Sequence, residues 1–337
     1  MFRFFLFAFG LFALIWVIWH IGPARIVEAA GGLGAFALTI ILLPSLLMYV
    51  LEAYGWRLTL GRYAGAVSFW RLFAVRAAGE VINMTAPSYV GGEPVKAYLL
   101  RRYGVPLVDG FASVVLAKTT MTIAEIMFIL LGVGLGFSLL ASGDPAGIGW
   151  TLLLGTAVSV GLLIFGTALF VIVQHRGLFT GLLGVLRRCR IRIPPLEARE
   201  EKLRDLDRTI LAFYDNDRRA FVQSIAFFFL GWLAEALEAY AILYVLAGSV
   251  GAVPALAIGG MSAFIKGATF FIPGSLGAQD GGNVLLLVTF GYSDVAGVTF
   301  ALLRRLREVV WIAIGLGLLA LLRESRKGGT IQKTAEG

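Results

Sequence analysis

Cysteine, histidine and charge are all scarce in this 337-residue sequence: one Cys, two His and 15% Asp, Glu, Lys and Arg together. Each scarcity excludes something. A lone Cys189 rules out an intrachain disulfide and a cysteine-based zinc site. His20 and His175 stand apart near the ends of apolar segments, where an imidazole sits at an interface or snorkels toward it rather than holding a metal. No metal and no cofactor are expected. There is no Walker A motif, so ATP hydrolysis by this chain is not expected either. With 58% hydrophobic residues and 42 glycines, too little polar residue remains to cover a soluble core of this size, which makes the chain a polytopic membrane protein. The formal charge of +8 does not point to nucleic acid, because the basic residues flank apolar runs and sit in no nucleic-acid-binding motif.

What is abundant is apolar sequence of spanning length. Runs of roughly 20 residues, enough to cross ~30 Å of hydrocarbon, fall near 2–21, 33–55, 109–139, 149–173, 220–247 and 295–322, while 67–104 and 253–291 are apolar but interrupted. Residues 2–19 behind Arg3 resemble a signal segment, and Val27-x-Ala29 a cleavage site. The run is longer and more aromatic than a signal core, however, so a retained first helix is expected. If the interrupted stretches return to the side they left, 23 of the 29 Lys and Arg lie on one face, including those at 57–102 and 174–219 and the tail after 322. By the positive-inside rule that face is cytoplasmic, with both termini on it.

Residues 194–214, "PPLEAREEKLRDLDRTILAFY", read as an amphipathic helix within a cytoplasmic linker, 174–219. Leu203, Leu206, Ile210 and Phe213 form one stripe, which fits either a helix on the membrane surface or a solvated linker. Asp205-x-Asp207 has the look of a glycosyltransferase metal pair but lacks a nucleotide-sugar domain around it. Gly132, Gly134 and Gly136 lie inside a spanning run and suit close helix packing better than nucleotide binding.

The two interrupted stretches correspond. "LEAY" occurs at 51–54 and 237–240, and each copy is followed 33 residues later by a proline, Pro87 and Pro273. Gly91 and Gly277 keep the offset; one inserted residue later Glu93 matches Asp280, Gly104 matches Gly291 and Lys118 matches Arg305. Half-repeats near 33–139 and 220–322 would run in opposite directions through the bilayer, all within one transmembrane domain, 1–337. Inverted repeats with broken helices are a transporter architecture whose site lies near the midplane. The expected fold is all-α, with about six full spans plus two re-entrant or broken helical hairpins. Their tips fall at Pro87, Gly91 and Gly92 and at Pro273, Gly274, Gly277 and Gly281; ordinary kinks or tight turns remain the other reading of these residues.

Charges inside the apolar segments sharpen the site. Lys118, Glu125, Lys266, Arg304, Arg305, Arg307 and Glu308 would each cost about 2.5–3.5 kcal/mol facing lipid at mid-helix, so they must face a cavity, a partner or the interface. Arg304 and Glu308, four apart, can pair on one helix face, and Lys118 and Glu125 can partly satisfy each other. Lys118 and Arg305, one in each half, are candidate lipid-headgroup ligands, with Arg304, Glu93 and Asp280 beside them. Arginine can clamp a phosphate bidentately, which lysine cannot.

At these residues the sequence resembles a known family. "GGEPVKAYLLRR" (91–102) is similar to the Gly-Glu-x-x-(Arg/Lys)-Ala-Tyr-Leu-Leu motif of the flippase-like family formed by the transmembrane region of lysylphosphatidylglycerol synthases (multiple peptide resistance factors) and their free-standing relatives. "IPGSLGAQDGG" (272–282) resembles its Pro-Gly-Gly-x-Gly-x-x-Glu-Gly motif, with Asp280 in place of Glu, and 302–322 resembles most the hopanoid-associated branch. The resemblance implies translocation of a polar-headgroup lipid, phospholipid or hopanoid-type, between leaflets of the bacterial cytoplasmic (inner) membrane. No aminoacyl-transferase domain follows, so no enzymatic activity is expected. Other readings are a non-transporting accessory or scaffold protein for lipid synthesis and an intramembrane lipid-modifying enzyme, the latter short of any evident acid–base set. The expected partners are membrane lipids, a second copy of the chain or lipid-biosynthesis enzymes, and no nucleic acid.

Overall fold

The computed structural model describes residues 19, 24, 34–85, 91–143, 150–188, 194–269, 272, 275 and 277–331. The first apolar segment, 2–21, falls almost wholly outside them. Among the described residues every regular element is helical. Their order is α1 (Ala35–Thr59), α2 (Phe69–Thr85), α3 (Glu93–Leu100), α4 (Leu107–Gly143), α5 (Trp150–His175), α6 (Leu178–Arg188), α7 (Pro194–Glu197), α8 (Glu200–Asn216), α9 (Arg218–Ala247), α10 (Ala252–Ala268), α11 (Ala278–Thr289) and α12 (Asp294–Ile331).

Three of these helices, α1, α4 and α9, are long and apolar enough to cross a membrane, with a fourth if α5 and the bent-over α6 are counted as one span. That is fewer than the six spans expected. The segment 2–21 lies outside the described residues, and α12, at 38 residues, is long enough but carries Arg304, Arg305, Arg307 and Glu308 inside it. Such a helix is made tolerable by neighbours that meet its charges, not by its own hydropathy.

One pattern of lengths occurs twice. A long helix (α1, 25 residues; α9, 30) leads into a 17-residue helix (α2; α10), a short one (α3, 8; α11, 12) and a very long one (α4, 37; α12, 38). Fine contacts match as well. Gly104 and Gly291 both adopt left-handed backbone, at φ +83° and +84°, where each short helix ends. A side chain on Gly110 would meet the Ala97 carbonyl at 3.3 Å, and one on Gly297 would meet the Val284 Cα at 3.0 Å; both pairs are 187 positions apart in sequence.

The two leading helices form the centre. Gly231 lies against Met48 and Glu52, and Gly55 against the Phe228 ring, so α1 and α9 run antiparallel with glycines at the contact. Around them α10 packs on α4 and α12 on α2. Side chains added at Gly132 and Gly260 would approach the opposite backbone to 2.5–2.6 Å, and one at Gly136 would meet the Met261 sulfur at 2.6 Å. These glycines serve helix packing. The eight residues of α3, at 1.5 Å each, reach only about 12 Å, too short to cross a membrane by themselves. Asn83 meets Gly92 while Gly79 and Glu80 meet Lys96, so α3 folds back along α2.

The linker departs from the expected surface helix. Leu206, Ile210 and Phe213 of α8 are buried against Ala112 and Leu116 of α4, with Leu203 at the edge. The apolar stripe therefore serves protein, not lipid. The helix turned across the end of a spanning segment is α6, bent 93° from α5 at Gly177, whose φ is +87°. Asp207 of α8 fixes it, accepting from the Phe179 and Thr180 amides at 3.0 and 2.9 Å and from the Thr180 hydroxyl at 2.7 Å. Asp207 is thus a cap for α6, not half of a metal pair. Glu200 accepts from Arg187 of α6 at 2.6 Å and from Arg204 at 2.7 Å. The Arg187 and then the Arg204 hydrogen bonds hold its carboxyl below the usual glutamate range.

Candidate functional site

Where α1 and α9 cross, the core is ionic. Glu52 on α1 and Glu238 on α9 occupy the same place in the two "LEAY" copies, and each is held by a buried arginine. Arg76 of α2 bonds Glu52; Arg307 of α12 donates to Glu238 at 2.6 Å. One turn earlier on α9, Glu235 takes Arg304, which also donates to Ser262 at 2.6 Å, and Ser262 donates to Asn283 at 2.6 Å. The expected Arg304–Glu308 pair is therefore replaced. Glu308 accepts from Arg305 at 2.6 Å instead, because Glu235 and Ser262 draw the Arg304 guanidinium across to α9 and α10.

The two hairpins bring the remaining candidates to this core in different ways. On the first, Glu93 accepts from Lys96 at 3.0 Å and from Asn83 at 2.9 Å, and Lys96 also reaches Glu80 at 3.4 Å. Gly92 lies so close to the Gly79 carbonyl that any side chain there would stand 2.0 Å from it. On the second, Asp280 accepts from the Gly277 amide at 2.9 Å and takes a two-pronged bond from Arg305, at 2.8 and 3.1 Å. Arg305 further reaches the Ser275 carbonyl at 3.2 Å. Gly277, at φ +77°, and Ser275, at φ +48°, set this turn, Gly281 faces open space and Gly91 is exposed. Pro87, Pro273 and Gly274 lie outside the described residues.

Lys118 differs from the arginines. It is half-buried on α4 and, among the described residues, makes no ion pair or hydrogen bond. It lines a narrow cleft with Glu93, Lys96, Arg76, Met121 and Trp56. Glu125, two turns further along α4, is likewise without a hydrogen-bond partner among the described residues, although both Lys118 and Lys266 act on it electrostatically. Arg76 and Met121 also line a larger cleft, walled by Glu52, Glu80, Glu235, Lys266, Arg307 and the aromatic rings of Tyr49, Trp232 and Trp311. Two buried donors beside it, Arg76 Nε and Trp232 Nε1, have no acceptor among the described residues. No group of three His, Cys, Asp or Glu suited to a metal occurs among them either. Sequence reasoning named α12's cations but missed Glu52, Arg76, Glu235 and Glu238. The repeated "LEAY" carried the signal for two of them, a carboxylate inside each copy.

Residues 3–317 match the family described as the lysylphosphatidylglycerol synthase TM region. The chain belongs to that family. A relative in Methanothermobacter thermautotrophicus, described as a UPF0104 membrane protein, is 25% identical over 324 residues, covering 93% of this chain and 92% of the relative. No solved structure matches. As a member of the lysylphosphatidylglycerol synthase TM region family, the chain is a lipid-related membrane protein whose charged core lies within the part that defines the family.

Proposed function

We propose that this protein is a lipid flippase or lipid-transport protein, moving a polar-headgroup lipid between leaflets of the bacterial cytoplasmic membrane. The observation that carries this reading is Lys118, a cation that makes no ion pair or hydrogen bond among the described residues, although Glu80 and Glu125 lie in its field, in a cleft it shares with the unsatisfied Arg76 Nε. A cation in a membrane helix is costly unless it meets an anion or water, and an anionic headgroup supplies the missing acceptor while its apolar tail stays in lipid. In this reading α1–α4 and α9–α12 form an inverted repeat, supported by the antiparallel contact of α1 with α9. The α2–α3 and α10–α11 segments are re-entrant hairpins entering from opposite faces, and both termini are cytoplasmic. Transport then requires the cleft to open alternately toward each side.

The test is the purified protein alone in phospholipid vesicles. A fluorescent headgroup-labelled lipid should move from the sheltered leaflet to the outer one, where dithionite bleaches it, faster than in protein-free vesicles. Equal rates would assign the protein an accessory role in lipid synthesis instead.

A further inference from the structure

The two halves of the site are caught in different states. Asp280 and Arg305 are 25 residues apart and joined by a two-pronged ion pair. Glu93 and Lys118 are also 25 residues apart, each 187 positions before its counterpart, and both line the same narrow cleft. Yet Glu93 bonds Lys96 and Asn83, while Lys118 bonds nothing among the described residues. The local reason is visible in the sequence. The second half has Asn283 where the first has Lys96, so Asp280 has no lysine one turn along its own helix and reaches Arg305 on α12 instead.

We propose that Glu93–Lys118 and Asp280–Arg305 are two copies of one ion-pair latch that close in alternation. In the state described here the second latch is shut and the first is open, with Lys96 holding Glu93 away from Lys118. In the opposite state Glu93 leaves Lys96 for Lys118, and Asp280 releases Arg305. Each carboxylate then stands in for an anionic group, phosphate or carboxylate, at the cation of its half: when the ligand occupies the cation the latch is open, and when it leaves the carboxylate takes its place. Once ligand is bound, the exchange gives each cation an anion in turn, carboxylate or ligand, and Arg305 keeps Glu308 when Asp280 releases it. The open cleft is narrow, so ligand entry also requires α3 to move relative to α4. The ligand role rests on the transport reading above; the alternation of the two ion pairs does not.

Crosslinking separates the two. All latch charges are kept: Arg305→Lys supplies an amine in place of the guanidinium, and the protein in vesicles is treated with a hydrophobic carbodiimide, which joins a carboxylate to a paired lysine with no spacer. Peptide mapping should find Glu93 joined to Lys118 in part of the population, and Asp280 joined to the amine of Arg305→Lys in part. In molecules with one pair joined, the other should be joined about tenfold or more less often, as expected when one state excludes the other. With Lys96→Gln added, the Glu93–Lys118 link should form faster, because Lys96 no longer holds Glu93. A first pair that never crosslinks, with or without Lys96→Gln, or two pairs that crosslink together in one molecule, would overturn the latch. If the pairs alternate but no lipid moves, the latch stands and the transport reading falls.

Discussion

Glu238 lies inside a long apolar helix, and Arg307 donates to it from α12 at 2.6 Å. Removing one partner of such a pair leaves a buried charge uncompensated, at ~3–5 kcal/mol. Arg307→Met should therefore lose most of the monodisperse protein in size-exclusion chromatography, and adding Glu238→Gln should recover a large part of it. Arg305→Met should behave like Arg307→Met, because Asp280 and Glu308 both depend on it, whereas Lys118→Met removes no partner. Where α6 meets α8, Asp207→Ala deprives the start of α6 of its cap. We expect a loss of about 1–2 kcal/mol, read as faster hydrogen exchange at the Phe179 and Thr180 amides. Glu200 gives a pH signature: its folded pKa is depressed, so its contribution to docking α6 on α8 is present above the ordinary glutamate value of about 4.3 and is lost as pH falls below it. Protection factors in α6, which remove the intrinsic pH dependence of amide exchange, should fall over that acid range and stay constant above it. That the apolar segments carried charges was legible in the sequence; the partners were not, because Arg304 meets Glu235 from 69 residues away and only packing decides between it and Glu308.

Helices and their breaks were largely legible, since apolar length and Gly or Pro punctuation are local properties. The glycines at 132, 134 and 136 were read as packing residues; 132 and 136 face Gly260 and Met261 of α10, but 134 faces open space and packs against no helix among the described residues. Gly132→Leu should overpack this crossing and cost at least about 1–3 kcal/mol, lowering the midpoint of thermal unfolding. Gly134→Leu, facing open space, should leave it unchanged. The surface helix was read less well. A stripe at Leu203, Leu206, Ile210 and Phe213 defines a face, but periodicity does not say whether lipid, water or protein covers that face. Here α4 does. The bend that lays α6 across the end of α5 depends on Gly177 at positive φ and on Asp207 brought from another helix, a non-local contact no window of sequence contains.

For the whole molecule, the account places residues 174–219 and both termini in the cytoplasm and 140–148 and 248–252 outside. In a Cys189→Ser background, Ser142→Cys and Ser249→Cys should react with an impermeant thiol reagent in intact spheroplasts, and Thr209→Cys should not; the reverse pattern would invert the molecule. The correspondence of the halves could be read from "LEAY" and the prolines, because equal spacing survives in sequence. Their difference is marked in the sequence only by Lys96 against Asn283, and its effect on Lys118 and Arg305 shows once their neighbours are in place. That difference gives the most direct measurement of the central claim, that an unpaired cation in the cleft receives a lipid headgroup. Wild type, Lys118→Met and Lys118→Arg are compared for movement of headgroup-labelled lipid in vesicles, each after confirming a monodisperse fold. The account predicts that Lys118→Met folds as wild type but moves lipid at least about tenfold more slowly, a loss of roughly 1.4 kcal/mol or more, and that Lys118→Arg retains transport. A Lys118→Met protein that moves lipid at the wild-type rate would contradict it.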